Sequence, residues 1–271
     1  MTVSRDDLTF VQRELRETTG VILDDDKGYL LESRLLSLVD AEGVKTVGEL
    51  VTRMRRPSSA ELRRHAVHAL LNGETLFFRD IACFEALRDQ VIPQLMRARP
   101  ERQLHVWSAA CSTGQEPYSI AMLLAEHFPE LSNWNVQLIA TDVSPTHLAR
   151  ARGARYSQFE VNRGLPALML VRHFTKEEDA WVVRQEIRDR VRFQELNLIE
   201  PWPYLPRCDV VFLRNVMIYW GAETRRDVLS RIRQVLRPDG FLVLGATETT
   251  FLAEDQLELI PETRCCFRLR G

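Results

Sequence analysis

The stretch Leu104–Ile120, LHVWSAACSTGQEPYSI, constrains the chain more than any other. It opens on alternating and β-branched apolar residues, the pattern of a buried strand. Small residues follow (Ser108, Ala109, Ala110, Ser112, Thr113, Gly114), then Pro117 and the apolar helical run Ile120–Leu124. Proline suits the start of a helix, where its missing N–H costs nothing. Strand, tight small-residue loop and helix form the βα unit of an open α/β sheet. The helix N-terminus offers unpaired N–H groups, and the loop lets a ligand approach the backbone closely. The loop does not match G-x-G-x-x-G, so by itself it fits either a nucleotide-type site or an ordinary βα turn.

The segments beyond it continue the βα pattern. Asn135–Asp142, NVQLIATD, is a second strand, and Ser144-Pro145 starts a helix over 145–152. The carboxylate that ends this strand stands where nucleotide-binding folds hold ribose hydroxyls. The alternative is that Asp142 only caps the helix, which Ser144 could do alone. Val191–Leu196 is a further strand, followed by Asn197-Leu198. Cys208–Leu213, CDVVFL, is nearly all apolar, as expected of a central parallel strand covered on both faces. Glu223–Leu236 is an amphipathic helix, turned by Pro238-Asp239-Gly240 into the strand Phe241–Gly245. The tail, Leu257–Ile260 and Cys265–Leu269, suits a terminal hairpin. Between 153 and 190 the alternation lapses, and the residues read as an insertion with short strands. Polar groups cluster just after successive strands: Glu116, Asp142, Asn197, Arg214 and Asn215. Ligands in open α/β sheets bind at those carboxyl ends.

Residues 1–72 read differently, as four short helices. Ser4 with Asp7 opens the first and Gly20 stops it; Asp26–Val39 forms the second. Thr46 with Glu49, and Ser58 with Glu61, are capping-box pairs for the third and fourth. Arg53, Arg55, Arg56, Arg63 and Arg64 form a local basic cluster, either a solvated face or a docking surface for an acidic partner. Next comes NGETLFFRD (72–80). Here Phe77 and Phe78 read as core, Asp80 as the cap of the next helix, and Arg79 as a guanidinium suited to a carboxylate.

Composition bounds the function. A net charge of −2 argues against a general nucleic-acid binder. No apolar run approaches the length of a membrane span, and the N-terminus lacks the apolar core of a signal peptide. The five cysteines (Cys83, Cys111, Cys208, Cys265, Cys266) have spacings that fit neither a disulfide framework nor a zinc site. No metal is therefore expected, and a reducing cytoplasm is the simplest location.

Five segments together carry a family resemblance: GETLFFRD (73–80), VWSAACSTGQEPYSIA (106–121), ATDVS (140–144), Asn197-Leu198 and RNVMIYW (214–220). In that order the chain resembles the chemotaxis receptor methyltransferases, the CheR family. The resemblance implies a small helical domain (1–72), a linker and connecting helix (73–102), and an S-adenosylmethionine-binding domain (103–271). That last domain would be a doubly wound, mostly parallel, Rossmann-like α/β sheet with a β-subdomain inserted at about 153–190. It also implies methyl transfer to receptor glutamates, giving glutamate methyl esters and S-adenosylhomocysteine. The alternatives are a non-catalytic cofactor-binding adaptor and a methyltransferase of another substrate.

By the same resemblance Thr75, Arg79, Glu116, Asp142, Asn197, Leu198, Arg214 and Asn215 line the cofactor pocket. Arg79 and Tyr219 fall near the transferred methyl. Departures are visible. Where the family often has Asn two residues before the threonine, this chain has Gly73, with Asn72 one residue earlier. The family's Glu-Glu-Pro is Gln115-Glu116-Pro117, and the last motif ends in Trp220 where Phe is commoner. The implied partner is the cytoplasmic helical region of methyl-accepting chemotaxis receptors, met by a monomer without membrane insertion. Some members bind a C-terminal receptor peptide beside a longer, glycine-containing loop. Here His173–Trp181 is short, lacks glycine and carries Glu177, Glu178 and Asp179, so no such pentapeptide tether is expected.

Overall fold

The computed structural model describes residues 3–24, 28–249 and 256–270. The chain divides into two compact units, Met1–Asn72 with Tyr219–Asp227, and Gly73–Ile218 with Val228–Gly271.

In the helical unit, α1 (Arg5–Thr19) starts where the Ser4 side chain accepts from the Asp7 N–H. It ends at Gly20, which takes a left-handed φ of 74°. Then come α2 (Gly28–Ala41), α3 (Val47–Met54) and α4 (Ala60–Leu70). The expected start of the second helix at Asp26 lies outside the described residues. Thr46 caps α3 as expected, but α4 is preceded by Ser59, whose side chain makes no cap bond, so the Ser58–Glu61 pair is not its cap. Leu15, Leu31, Leu35, Leu50, Val51 and Val67 fill the unit's core. The basic cluster is largely used inside the unit. Arg53 pairs with Glu42 at 2.8 Å, Arg55 with Asp7 at 3.0 Å, and Arg63 lies 3.5 Å from Glu14. Trp220 is buried and donates its indole N–H to the Thr19 carbonyl.

In the larger unit, α5 (Ile81–Ala86) runs through a π turn (Leu87–Val91) into α6 (Ile92–Ala98). There follow β1 (Gln103–Ala109), α7 (Gln115–His127), β2 (Asn135–Asp142) and α8 (Pro145–Gly153). The insertion holds β3 (Arg155–Ser157), α9 (Gln158–Val161), α10 (Ala167–His173), β4 (Phe174–Glu177), β5 (Ala180–Val183) and α11 (Gln185–Arg188). The chain finishes with β6 (Val191–Glu195), β7 (Cys208–Leu213), α12 (Ala222–Val235), β8 (Leu236–Leu244), β9 (Leu257–Leu259) and β10 (Cys266–Leu269).

The main sheet has seven strands in the order β6-β2-β1-β7-β8-β10-β9, parallel except for the terminal hairpin. The strand order reverses between β1 and β7, the place where open α/β sheets bind ligands. β7 is buried at every residue, as its unbroken apolar run requires. The insertion folds its strands into a separate antiparallel sheet, β3-β5-β4. No helix among the described residues is long and apolar enough to cross a membrane.

Three local expectations are corrected. Pro117 sits in the third position of α7, because the helix already begins at Gln115. β8 begins at Leu236: its 237–240 stretch bulges out, so that Cys208 faces Leu236 while Val210 faces Phe241. Cys83 and Cys265 form a disulfide across a sequence separation of 182, a pairing that no local spacing could reveal.

The amino ends of the central strands are held by a buried charge network. Asp209, fully buried, accepts from Arg99 Nε at 2.6 Å and from the His105 N–H at 2.7 Å. Arg99 also forks onto Asp239 with two 2.7 Å bonds, holding that carboxyl below the usual range. Asp209 therefore ties β7 to β1 and to the end of α6. Asp209→Ala is expected to lower unfolding free energy by about 3–5 kcal/mol, the cost of stripping one partner from a buried ion pair. Urea denaturation checks this; an unshifted midpoint would make the network dispensable.

Candidate functional site

The carboxyl ends of β1, β2, β7 and β8 meet the segment 73–80. The turn after β1 is unusual in its backbone. Ala110 and Ser112 have φ of 60° and 51°, and Gly114 reaches 96°. A Cβ on Gly114 would come within 3.0 Å of both the Ala151 Cβ and the Tyr156 hydroxyl, so glycine is needed for conformation and for space. Phe78, Asp80 and Asn215 are also left-handed, at 48°, 57° and 59°. Five of the nine non-glycine residues with positive φ among the described residues thus border this one end of the sheet. Each costs on the order of 1–3 kcal/mol, and such strain gathers where the surroundings hold a site in shape.

Asp142 ends β2 with its carboxylate buried. Oδ2 accepts from the Ser112 N–H at 2.8 Å, and Oδ1 from the Ser144 N–H at 2.9 Å. His147 Nδ1 lies 3.4 Å from the same Oδ1. Ser144, not Asp142, accepts from the His147 N–H and caps α8. A carboxylate has about four lone-pair positions, so Asp142 retains capacity for a ligand donor. Ser112 Oγ donates to the Gly73 carbonyl at 2.7 Å, fastening segment 73–80 to the turn. A second fastener is the Phe78 N–H, which donates to Ser119 Oγ at 2.9 Å.

Arg214 follows β7, and its side chain is 1% exposed. Nη1 donates to Glu116 Oε2 at 2.9 Å, while Nη2 donates to Asp80 Oδ2 and to the Arg79 carbonyl, both at 2.7 Å. Glu116 takes a further bond from Ser108 Oγ at 2.8 Å. This corrects two expectations. Asp80 is left-handed and makes no cap bond to α5; its carboxylate serves Arg214. The carboxylate-binding guanidinium of this region is that of Arg214, whereas Arg79 Nη1 reaches the Glu74 carbonyl at 3.3 Å. Arg214 Nε is buried with no hydrogen-bond partner among the described residues.

The other candidates divide. Thr75 is half-buried on the fastened segment. Leu198 is buried and its carbonyl accepts from the Trp202 indole. Asn197 closes its own turn, accepting from the Ile199 N–H and donating to Glu200. The strand before it, β6, ends with Glu195 paired to Asp142. Tyr219 belongs to the helical unit, where Asn72 Nδ2 bonds its hydroxyl at 2.6 Å.

Sequence reasoning missed Glu248. Fully buried, it accepts four backbone N–H groups: Val216 and Met217 on Oε1, Asn215 and Gly245 on Oε2, all at 2.7–2.9 Å. Burial pushes its carboxyl upward, against the downward pull of those four donors. Glu248 pins the left-handed turn at Asn215 to the end of β8. Its only sequence signal was an acid following an apolar strand, which also describes a solvated loop. Glu248→Gln must aim an NH2 group at two N–H donors. It is expected to cost about 2 kcal/mol or more, since each orphaned buried donor costs about 1–3 kcal/mol. Chemical denaturation measures the loss, and unchanged stability would show that the turn holds without the carboxylate.

Comparison with known proteins follows the same division. The CheR methyltransferase all-alpha domain matches residues 6–71, and the CheR methyltransferase SAM binding domain matches residues 73–266. Chemotaxis protein methyltransferase Cher2 of Pseudomonas putida is 40% identical over 252 residues, 91% of each chain. Chemotaxis protein methyltransferase 1 of Pseudomonas aeruginosa is 40% identical over 266 residues, 96% of each chain. The chemotaxis protein methyltransferase of Vibrio parahaemolyticus is 35% identical, covering 96% of this chain and 95% of that protein.

Proposed function

The chain belongs to the CheR methyltransferase family, and from that premise we propose that it methylates chemotaxis receptors on glutamate side chains. The cofactor, S-adenosylmethionine, follows from the SAM binding domain over residues 73–266. When bound, it supplies an electrophilic methyl group on a cationic sulfur.

The observation that carries the reading is Asp142: a buried carboxylate held by two backbone N–H groups, with acceptor capacity left, beside a strained small-residue turn. That is the acceptor that a ribose's hydroxyl donors need. Asp80, Glu116 and Arg214 together carry one net negative charge, which suits a positively charged ligand. Asp142 is assigned the ribose hydroxyls; Thr75, Glu116, Asn197, Leu198, Arg214 and Asn215 are assigned to the cofactor's surroundings. Arg79 is assigned to both the cofactor and the transfer step, and Tyr219 to the transfer step.

A glutamate side chain has a pKa of about 4.3 and is ionised at neutral pH. The chain therefore needs no general base. What its residues must do is align the carboxylate and exclude water. A tight salt bridge to the substrate carboxylate would stabilise the ground state and slow the reaction. Arg79, whose guanidinium rests on a carbonyl, suits orientation better than capture.

The receptor is met by the helical unit and the active site, without a C-terminal peptide tether. In support, β4 and β5 are joined by Glu178-Asp179 alone, with no glycine in a turn where Glu178 has φ 42°. The protein is assigned as a monomer in the cytoplasm, where the receptor's helices lie.

Incubation with methyl-labelled cofactor and receptor-bearing membranes is expected to yield base-labile methyl esters; label stable to base would overturn glutamate as the acceptor. Asp142→Ala is expected to weaken cofactor binding at least tenfold, since a hydrogen bond to a charged group contributes about 1.5–3 kcal/mol. Unchanged affinity by calorimetry would remove Asp142 from the site. Tyr219→Phe is expected to lower kcat more than it weakens cofactor binding. A parent-like kcat at saturating substrate would make Tyr219 a packing residue.

A further inference from the structure

His147 stands in the third position of α8, the positive end of the helix dipole, where a cationic side chain is disfavoured. It is held there by specific contacts. Its backbone N–H bonds Ser144 Oγ at 3.3 Å, and its ring Nδ1 lies 3.4 Å from Asp142 Oδ1. On the other side the ring covers Gly73. A Cβ on Gly73 would fall 2.6 Å from His147 Nε2 and 2.9 Å from Cε1. Gly73 is not among the residues with positive φ, so its backbone conformation does not demand glycine. The imidazole does. The Gly73 carbonyl is in turn bonded by Ser112 Oγ, and the Ser112 N–H by Asp142 Oδ2. Asp142, Ser112, Gly73 and His147 thus form a closed circuit of contacts joining three separate segments of the chain.

We propose that His147 is a positioning residue for the cofactor. Its ring, with Nδ1 3.4 Å from Oδ1, braces the Asp142 carboxylate so that it faces the turn after β1, and residue 73 is glycine to admit that ring. The proposal rests on the assignment of Asp142 to the ribose. The clash at residue 73 falls on the far end of a side chain, so Gly73→Ala is expected to fold and to swing the imidazole off Asp142. Asparagine at 147 can present an amide N–H close to where Nδ1 stands, without a ring over residue 73.

The test is calorimetric binding of S-adenosylhomocysteine, with no turnover involved, alongside the thermal midpoint of each free protein. His147→Ala and Gly73→Ala are each expected to weaken binding roughly tenfold, as for one lost bond to a charged group. The double variant should bind no worse than His147→Ala alone, because both changes remove the same contact. His147→Asn should bind within about threefold of the parent, and should make Gly73→Ala harmless when the two are combined, as for a restored bond to the same carboxylate. Additive losses, or parent-like binding by His147→Ala, would overturn the proposal. Asp142→Ala separates the two ideas. If it binds like the parent, the ribose assignment fails and the proposal fails with it. If it loses affinity while His147→Ala does not, only the role of His147 fails.

Discussion

A buried guanidinium organises the working end of this molecule. Arg214 has almost no exposed surface, so its charge must be answered by protein groups. It is answered by Glu116 from α7, and by Asp80 and the Arg79 carbonyl from the segment before α5. Two stretches far apart in sequence are thereby drawn to the end of β7. Without that convergence the 73–80 segment would lose one of its anchors, and the strained turns around it would lose part of what holds them.

The two ends of the sheet use charge differently. At the amino ends, Asp209, Arg99 and Asp239 form a closed network with the His105 N–H, and its geometry is that of a staple. At the carboxyl ends the carboxylates face backbone N–H groups as well as Arg214: Asp142 takes two, Glu248 four. A carboxylate held by fixed N–H dipoles is oriented before any ligand arrives. It also repays some of the strain in the left-handed residues nearby, because turning the backbone this way is what aims those N–H groups inward. Pre-orientation of this kind suits a reaction that requires alignment more than proton transfer.

Much of this was legible in the chain itself. β2 and β7 coincide with the strands read from their apolar runs, and the Ser4 and Thr46 caps are made as their spacing implied. These are local matters, decided by side-chain period and by groups within four residues of one another. The polar residues after successive strands also lie at one end of the sheet, because parallel strands carry their carboxyl ends to the same side.

What each of those polar residues does was decided by tertiary structure. Asp80 reads as a helix cap and instead serves a guanidinium 134 residues away. Arg79 reads as the carboxylate binder, a task that falls to Arg214. Glu248 gave no warning of four donors, Gly73 none of the imidazole that excludes a side chain there, and Cys83 none of Cys265. The physical reason is the same in each case. The sequence sets where elements begin and which face they bury, since those depend on neighbours along the chain. A buried charge or a missing Cβ is answered by whatever the fold brings within about 3 Å, and only the assembled fold determines which residue that is.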